Sequence, residues 1–209
     1  PITPQNEVPA YMSNKMVKLG KVFVQAESEI SAANMVMGAY GTGKRAMTSS
    51  SSPGISLKQE AISYLAGMEV PGVIVNVQRG GPGLGNISGS QADYFQATKG
   101  GGHGDYHTIV LAPNSAQEMY EIAYDSFDLA EKYRTPVMIL SDGIIGQMME
   151  PVEFNRKKRT EFPQKDWALD GCKGREPRSL QSLLMKDGFL EQHNLDLQQK
   201  YETIKKNEV

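Results

Sequence analysis

The feature that most restricts the fold of this chain is the run Val73-Ile74-Val75-Asn76-Val77. β-Branched side chains favour strands, and an apolar run that hardly alternates with polar residues is typical of a strand buried on both faces. Strands of this kind lie at the centre of parallel sheets that helices cover on either side. The run therefore predicts a central strand, for which other segments must supply parallel neighbours and covering helices.

Strand-like and helix-like segments alternate along the rest of the chain. Short strands are predicted at 21–26, 45–48, 107–111 and 136–140. A polar turn is predicted at 49–54, and apolar residues recur at helical spacing over 8–19, 30–41, 55–69 and 114–133. This order predicts an α/β fold with a parallel sheet covered by helices on both faces, whose ligands lie at the carboxyl ends of the strands.

Composition limits the partners and the chemistry. The 209 residues, 39% of them hydrophobic, suffice for one core with an appendage. With 22 basic and 24 acidic residues the formal charge is −2, which favours neither nucleic acid nor an anionic membrane. The single Cys172 excludes an internal disulfide and any cysteine-ligated iron–sulfur cluster or zinc site built from this chain alone. Because no apolar run approaches about 20 residues and no signal-peptide pattern is present, a cytoplasmic location is predicted.

The composition becomes charged beyond residue 150, which predicts a boundary there. Residues 1–150 are the predicted α/β domain, and residues 151–209 are a charged linker followed by a helical arm. The helix-like segment 179–209 carries three apolar residues spaced by seven: Leu190, Leu197 and Ile204. This spacing predicts a narrow seam against a partner or against the core, and a solvated arm with one apolar edge is the alternative.

The segment Gly38-Ala39-Tyr40-Gly41-Thr42-Gly43-Lys44 has the glycine and lysine spacing of a phosphate-binding P-loop. Two features argue against that function. Arg45 stands where a magnesium-binding Ser or Thr is required, and the segment leads from a helix into a strand rather than the reverse. We therefore interpret it as the end of a helix that terminates on glycine.

Nine of the 21 glycines fall in a predicted loop at 79–105, far longer than the usual connection of about four to six residues. Its glycines lack the dinucleotide-binding spacing, but they allow a ligand or another subunit to approach the backbone. His103 and His107 are separated by Gly104 and are not predicted to bind a metal. Arg79, at the end of the central strand, either forms a surface ion pair or binds a carboxylate or phosphate.

Two carboxylates, Glu27 and Glu29, lie where the apolar run 22–26 passes into a predicted helix. Local physics favours carboxylates at a helix start, because they interact with the exposed amides and the helix dipole. The alternative is a carboxyl group held against apolar surface with a raised pKa, able to exchange a proton with a heteroaromatic nitrogen. Without further information, stabilisation of the helix end is the favoured interpretation of the two.

Several ordered blocks together carry a family resemblance: Pro1-Ile2-Thr3-Pro4, Glu27-Ser28-Glu29, and the segments 49–57, 77–83 and 101–105. With these blocks, essentially the whole chain resembles the alpha subunit of 2-oxoacid:ferredoxin oxidoreductases. The segments 142–151 and 173–177 make the branched-chain, 2-oxoisovalerate (3-methyl-2-oxobutanoate) type the most similar within that family.

The resemblance implies a thiamine-diphosphate enzyme in which residues 1–150 form the pyrimidine-binding domain. By the family's pattern, Glu29 is the catalytic and cofactor-binding residue: it contacts N1′ of the aminopyrimidine and so helps the cofactor lose its thiazolium C2 proton. Glu27 is left as structural support. Thr3 and Arg79 match positions that meet the carboxylate and carbonyl of the substrate, and no residue of this chain is assigned to a metal.

The resemblance also implies partners. A beta subunit would hold the diphosphate and its magnesium, other subunits would carry iron–sulfur clusters that pass electrons to ferredoxin, and coenzyme A would accept the acyl group. A dimer of heteromers is expected, with oxidative decarboxylation of a branched-chain 2-oxoacid as its reaction. The alternative is a non-catalytic α/β assembly module. Family members also carry a sheet-building segment before Pro1 and a second α/β domain after the arm, and both are expected to be missing here.

Overall fold

The computed structural model describes residues 1–208 and has a four-stranded parallel sheet. The strands are β1 Met47–Ser50, β2 Gly72–Gln78, β3 Ile109–Leu111 and β4 Pro136–Asp142, in the spatial order β1-β2-β4-β3. The inner strands are β2, which contains the β-branched run, and β4, and every residue of both is buried. The predicted central strand is therefore confirmed.

Helices connect the strands and continue into the arm. They are α1 Glu7–Lys18, α2 Glu29–Gly41, α3 Ser52–Gly67, α4 Tyr94–Thr98, α5 Ala116–Tyr133, α6 Gly143–Gln147 and α7 Phe189–Glu208. Within residues 1–208, none of them is both long and apolar enough to cross a membrane. The P-loop-like segment ends α2 at Gly41, and Gly43 has a left-handed φ of +81°, so its interpretation as a helix terminus is confirmed.

The sheet is covered on both faces, which confirms the predicted α/β class. On one face, α3 packs on three strand residues: Ile74, Met138 and Leu140. On the other face, α5 packs on the alternate residues: Val73, Val75, Val77, Val137 and Ile139. Successive residues of a strand point to opposite faces, so the uninterrupted apolar runs serve both layers. Val36 and Tyr40 of α2 share a third cluster with Leu65 of α3.

The strand predicted at 21–26 is wrong, because this segment pairs with no strand of the described chain. A cavity of about 1400 Å³ is lined both by this segment and by β1. Val22 and Val24 are 80% and 58% exposed. A strand needs a partner for its N–H and C=O groups, and an apolar pattern does not reveal whether a neighbouring edge is within reach.

Two predicted boundaries near β1 also change. The strand predicted at 45–48 begins two residues later, at Met47; the Arg45 side chain instead bonds to the Glu131 carboxylate. The turn predicted at 49–54 is shorter, because Ser49 and Ser50 pair with β2 and α3 begins at Ser52. The consequence is a tight connection from the carboxyl end of β1 into α3.

The arm becomes helical later than predicted, since α7 covers Phe189–Glu208 rather than 179–209, and residue 209 lies outside the described residues. Leu180 instead packs on the cluster formed by α2 and α3, and Gly188, with φ +78°, directly precedes α7. Leu197 and Tyr201 of α7 are buried, whereas Leu190 remains 53% exposed. The predicted seam of the arm is therefore buried around Leu197 and exposed at Leu190.

A cluster of charged side chains ties the linker to the body of the domain. The Glu131 carboxylate of α5 accepts hydrogen bonds from Arg45 at 3.0 and 2.6 Å, and it also pairs with Lys165 of the linker. Lys165 donates in addition to the Gly43 carbonyl at 2.8 Å. Glu131 is only 7% exposed, so these pairs lie in a poorly solvated environment where screening is weak.

Candidate active site

Glu29 lies at the first residue of α2, where the preceding residue caps the helix. The Ser28 backbone is extended, and its Oγ accepts a hydrogen bond from the Ser31 amide at 3.2 Å. A carboxylate in the first helical turn is further favoured by the unpaired amides and the dipole. Glu29 is half-buried whereas Glu27 is exposed, so the structure distinguishes the two carboxylates that the local pattern left equivalent.

The Glu29 side chain lies against Gly54, the third residue of α3. A Cβ at Gly54 would lie 2.9 Å from Glu29 Cγ, 3.2 Å from Glu29 Oε1 and 2.1 Å from Ser50 Oγ. Contacts this short leave no room for a side chain, so glycine is required here for close approach rather than for a special backbone conformation. The carboxyl end of β1 and the start of α3 thus form a cradle for the Glu29 carboxyl group.

A buried lysine lies beneath this cradle. Lys58 of α3 is 1% exposed, and its Nζ donates to Thr48 Oγ1 at 2.9 Å and to the Glu29 carbonyl at 3.3 Å. Burial lowers the pKa of Lys58 to about 8, although the Glu29 carboxylate opposes this by favouring the ammonium form. The sequence analysis missed Lys58, because its position on the inner face of α3 follows only from how that helix packs.

Thr3 and Arg79, the two predicted substrate-binding residues, lie next to each other. Arg79 Nη1 donates to the Thr3 carbonyl at 3.0 Å, and Nη2 donates to the Leu84 carbonyl at 3.0 Å. Arg79 is 5% exposed, so the surface ion pair considered above is wrong. Its Nε is buried without a hydrogen-bond partner within residues 1–208. The Thr3 hydroxyl accepts from Asn6 Nδ2 at 3.2 Å.

A polar network that the sequence analysis also missed holds the backbone of Arg79. The Asp93 carboxylate of the long loop accepts from Ser52 Oγ at 2.5 Å and from Asn76 Nδ2 at 2.8 Å. The Ser52 Oγ in turn accepts a hydrogen bond from the Arg79 amide at 3.0 Å. The Asp93 amide donates a hydrogen bond to Gln78 Oε1 at 2.9 Å. The one available signal was Asn76, a polar residue inside an apolar strand, which requires a partner when buried.

The cavity beside β1 reaches one part of the site. Glu29, Ser50 and Lys58 line it, but Thr3 and Arg79 do not. Glu29 and the Thr3–Arg79 pair therefore lie at neighbouring strand ends without sharing one enclosed space in this chain. Within residues 1–208 no group of three His, Cys, Asp or Glu residues is arranged to hold a metal ion.

A carboxylate held at a helix start, at the carboxyl ends of a parallel sheet and beside a cavity, defines an α/β domain suited to binding an organic cofactor or substrate. The chain belongs to the pyruvate flavodoxin/ferredoxin oxidoreductase, thiamine-diphosphate-binding family, whose model matches residues 1–206. The family resemblance noted in the sequence is thereby confirmed.

Two relatives illustrate the range of similarity. The ketoisovalerate oxidoreductase subunit VorB of Methanothermobacter marburgensis is 51% identical over 209 residues, which are 100% of this chain and 59% of that protein. The 2-oxoglutarate synthase subunit KorA of Methanothermobacter thermautotrophicus is 48% identical over 153 residues, 73% of this chain and 40% of that protein. The chain thus spans less than two thirds of the length of these relatives.

A solved structure of the same family supports the fold. The 2-oxoglutarate:ferredoxin oxidoreductase from Magnetococcus marinus, with 2-oxoglutarate, coenzyme A and succinyl-CoA bound, matches with a TM-score of 0.68 and 41% identity. The match covers 70% of this chain and 26% of that one. The parallel sheet and its covering helices are therefore those of a thiamine-diphosphate-binding domain.

The residues of this chain fit the pyrimidine end of thiamine diphosphate. Glu29 would offer a carboxylate oxygen to a ring nitrogen, and the cradle at Gly54 holds that carboxyl group in place. Ser50 and Ser51, at the same strand end, are buried, and their hydroxyls have no hydrogen-bond partner within residues 1–208. Buried polar atoms of this kind are suited to a polar heterocycle.

Proposed function

We propose that this chain is the catalytic half-site of the alpha subunit of a coenzyme-A-acylating 2-oxoacid:ferredoxin oxidoreductase. Residues 1–150 would be the pyrimidine-binding domain, and residues 151–209 a charged linker and helical arm that lead toward a second domain. The observation that carries the proposal is the cradled Glu29 carboxylate at the strand ends of a domain of this family.

When bound, thiamine diphosphate supplies a nucleophilic carbon and an electron sink for decarboxylation. The role of Glu29 is to hold a proton at N1′ of the pyrimidine and to favour the imino tautomer of the ring. The cap at Ser28 and the close contact with Gly54 orient the carboxyl group for that exchange. A proton-transfer group must lie within hydrogen-bond reach of its partner, so the rigidity of this cradle is part of the function.

Thr3 and Arg79 would bind the carboxylate and carbonyl of the 2-oxoacid. The two residues are in contact, and Arg79 uses one N–H of each Nη atom on a backbone carbonyl. An arginine side chain has five N–H donors, so two remain on the Nη atoms for an anionic group, while the Nε–H is buried. The network of Ser52, Asn76 and Asp93 would keep Arg79 in position.

Partner subunits are required by this proposal. A beta subunit would hold the diphosphate and magnesium, and further subunits would carry the iron–sulfur clusters that reduce ferredoxin in the cytoplasm, in a dimer of heteromers. The single Cys172 supports a division of labour in which the clusters lie elsewhere. The 51% identity to a ketoisovalerate oxidoreductase subunit favours a branched-chain 2-oxoacid as substrate, with coenzyme A as the acyl acceptor.

Glu29→Gln in the reconstituted complex tests the proposal. The amide keeps the size of the side chain but does not exchange a proton in the same way, so 2-oxoacid-dependent ferredoxin reduction should fall by about 100-fold or more. Glu27→Gln, at the exposed neighbour, is the matched control and should retain near-normal activity. Near-normal turnover by Glu29→Gln would favour a non-catalytic assembly module instead.

Turnover of 2-oxoisovalerate, pyruvate and 2-oxoglutarate by the same complex tests the substrate, and a strong preference for 2-oxoglutarate would contradict the branched-chain choice.

A further inference from the structure

Lys58 is a charged group that the proposed chemistry does not use, although it lies directly under the proposed catalytic residue. Its ammonium has three N–H donors, and the two partners that the structure gives it, Thr48 Oγ1 and the Glu29 carbonyl, are both uncharged. Lys58 also lines the cavity that Glu29 lines. A cation in this position is expensive to bury, because no carboxylate within residues 1–208 bonds to it directly.

The bonds of Lys58 join three elements. Lys58 itself belongs to α3, Thr48 to β1, and the carbonyl at 3.3 Å to the first residue of α2. The ammonium therefore fixes the start of α2 relative to the strand end and to α3. The Glu29 carboxylate lies close enough to favour the ammonium form of Lys58.

We propose that Lys58 is a positioning residue for Glu29, holding the first turn of α2 through the hydrogen bond from its Nζ to the Glu29 carbonyl. The proposal rests on the proposed function only in that Glu29 must act on the bound cofactor. Lys58→Gln retains amide donors without charge, and Lys58→Met removes both, so the two variants separate the loss of charge from the loss of the hydrogen bonds.

The cofactor-free complex provides a test that does not depend on activity. The pKa of Lys58 in the folded protein, about 8, lies below its ordinary value of 10.5. Between these values the unfolded chain binds more protons than the folded one, so stability rises as the pH rises through this window. The melting temperature of the wild type, measured relative to Lys58→Met, should therefore rise by about 5 °C between pH 8 and pH 10. In Glu29→Gln the melting temperature should begin to rise at a lower pH, because the carboxylate that favours the ammonium form of Lys58 is gone.

Activity of the loaded complex provides the second test. Lys58→Gln, which keeps a neutral donor, should retain about tenfold more kcat than Lys58→Met, which also releases the start of α2. A merely structural role would lower the melting temperature of both variants without separating their kcat values.

Two outcomes would overturn the proposal for Lys58 alone. The first is a rise in melting temperature in Glu29→Gln that begins at the wild-type pH, and the second is an equal kcat in the two Lys58 variants beside an inactive Glu29→Gln. Full activity of Glu29→Gln would instead overturn the proposed function, and with it the catalytic part of the role of Lys58. The melting measurements are made without cofactor, so they distinguish these failures.

Discussion

Adding one methyl group at Gly54 is expected to displace the Glu29 carboxyl group without unfolding the domain. The new Cβ of Gly54→Ala would lie 2.1 Å from Ser50 Oγ and 2.9 Å from Glu29 Cγ. The Ser50 hydroxyl can rotate away, since χ1 offers other staggered positions. The Glu29 methylene must itself move by about 0.6–1.1 Å to regain an ordinary contact of about 3.5–4.0 Å.

The energetic cost of this change has two parts of opposite sign. Overpacking a close-packed site costs about 1–3 kcal/mol, and replacing glycine by alanine in a helix returns up to about 1 kcal/mol. A net loss of about 1–2 kcal/mol in the free energy of unfolding is therefore expected. Activity should suffer more, because misplacing a catalytic group by about 1 Å costs on the order of 100-fold in rate.

The assay is 2-oxoacid-dependent reduction of ferredoxin by the reconstituted complex, together with thermal unfolding of each variant. Gly38→Ala is the matched control, because this glycine of α2 has no atom within 4 Å of an added Cβ. It should keep full activity and gain up to about 1 kcal/mol in stability. Ser50→Ala combined with Gly54→Ala removes the shorter clash, so it should regain stability but not activity.

A Gly54→Ala complex with wild-type kcat would refute the reasoning, since it would mean that the Glu29 carboxyl group tolerates displacement or does not act in turnover. Recovery of activity by the double variant would also contradict it. In that case the Ser50 contact, and not the Glu29 contact, would explain the loss.

Two further predictions concern stability, measured by thermal unfolding of the complex. Ser28→Ala removes the hydroxyl that accepts the hydrogen bond from the Ser31 amide, so the free energy of unfolding should fall by about 1 kcal/mol. Ser28→Asp keeps an acceptor and should lose little stability. Equal losses in the two variants would contradict a capping role. Glu131→Gln leaves Arg45 and Lys165 partly buried without their shared carboxylate and should cost about 2–3 kcal/mol. A loss that vanishes in high salt would show that this pair is screened like a surface pair.

The fold was predictable where the pattern reports burial directly. The run at 73–77 required a strand covered on both faces, and the amphipathic pattern of α5 required a helix on one of them. The strand at 21–26 failed for a physical reason: its apolar pattern expresses a preference for pairing, while pairing itself depends on a neighbour at the right distance. Strand propensity depends on one segment alone, whereas a strand forms only when two segments pair.

The candidate site was proposed from motifs, because local physics did not single it out. Glu29 was one of two carboxylates that a helix dipole would favour equally, and in the structure its partial burial and its contact with Gly54 distinguish it from Glu27. The Thr3–Arg79 contact joins residues 76 positions apart. Lys58 was missed because a lysine in a helix is ordinarily solvated, and its burial depends on packing that no spacing rule reports.

The hydrogen bond between Asp93 and Ser52 matters for anyone who intends to engineer substrate range. The glycine-rich loop resembles an exchangeable module, but Asp93 ties it to Ser52, two residues before the glycine that contacts Glu29. The Ser52 hydroxyl also accepts a hydrogen bond from the Arg79 amide. A loop grafted from a relative with a different 2-oxoacid should therefore be transferred together with its partner at position 52. Otherwise a change meant for selectivity would also alter the geometry around Glu29, the proposed proton-transfer group.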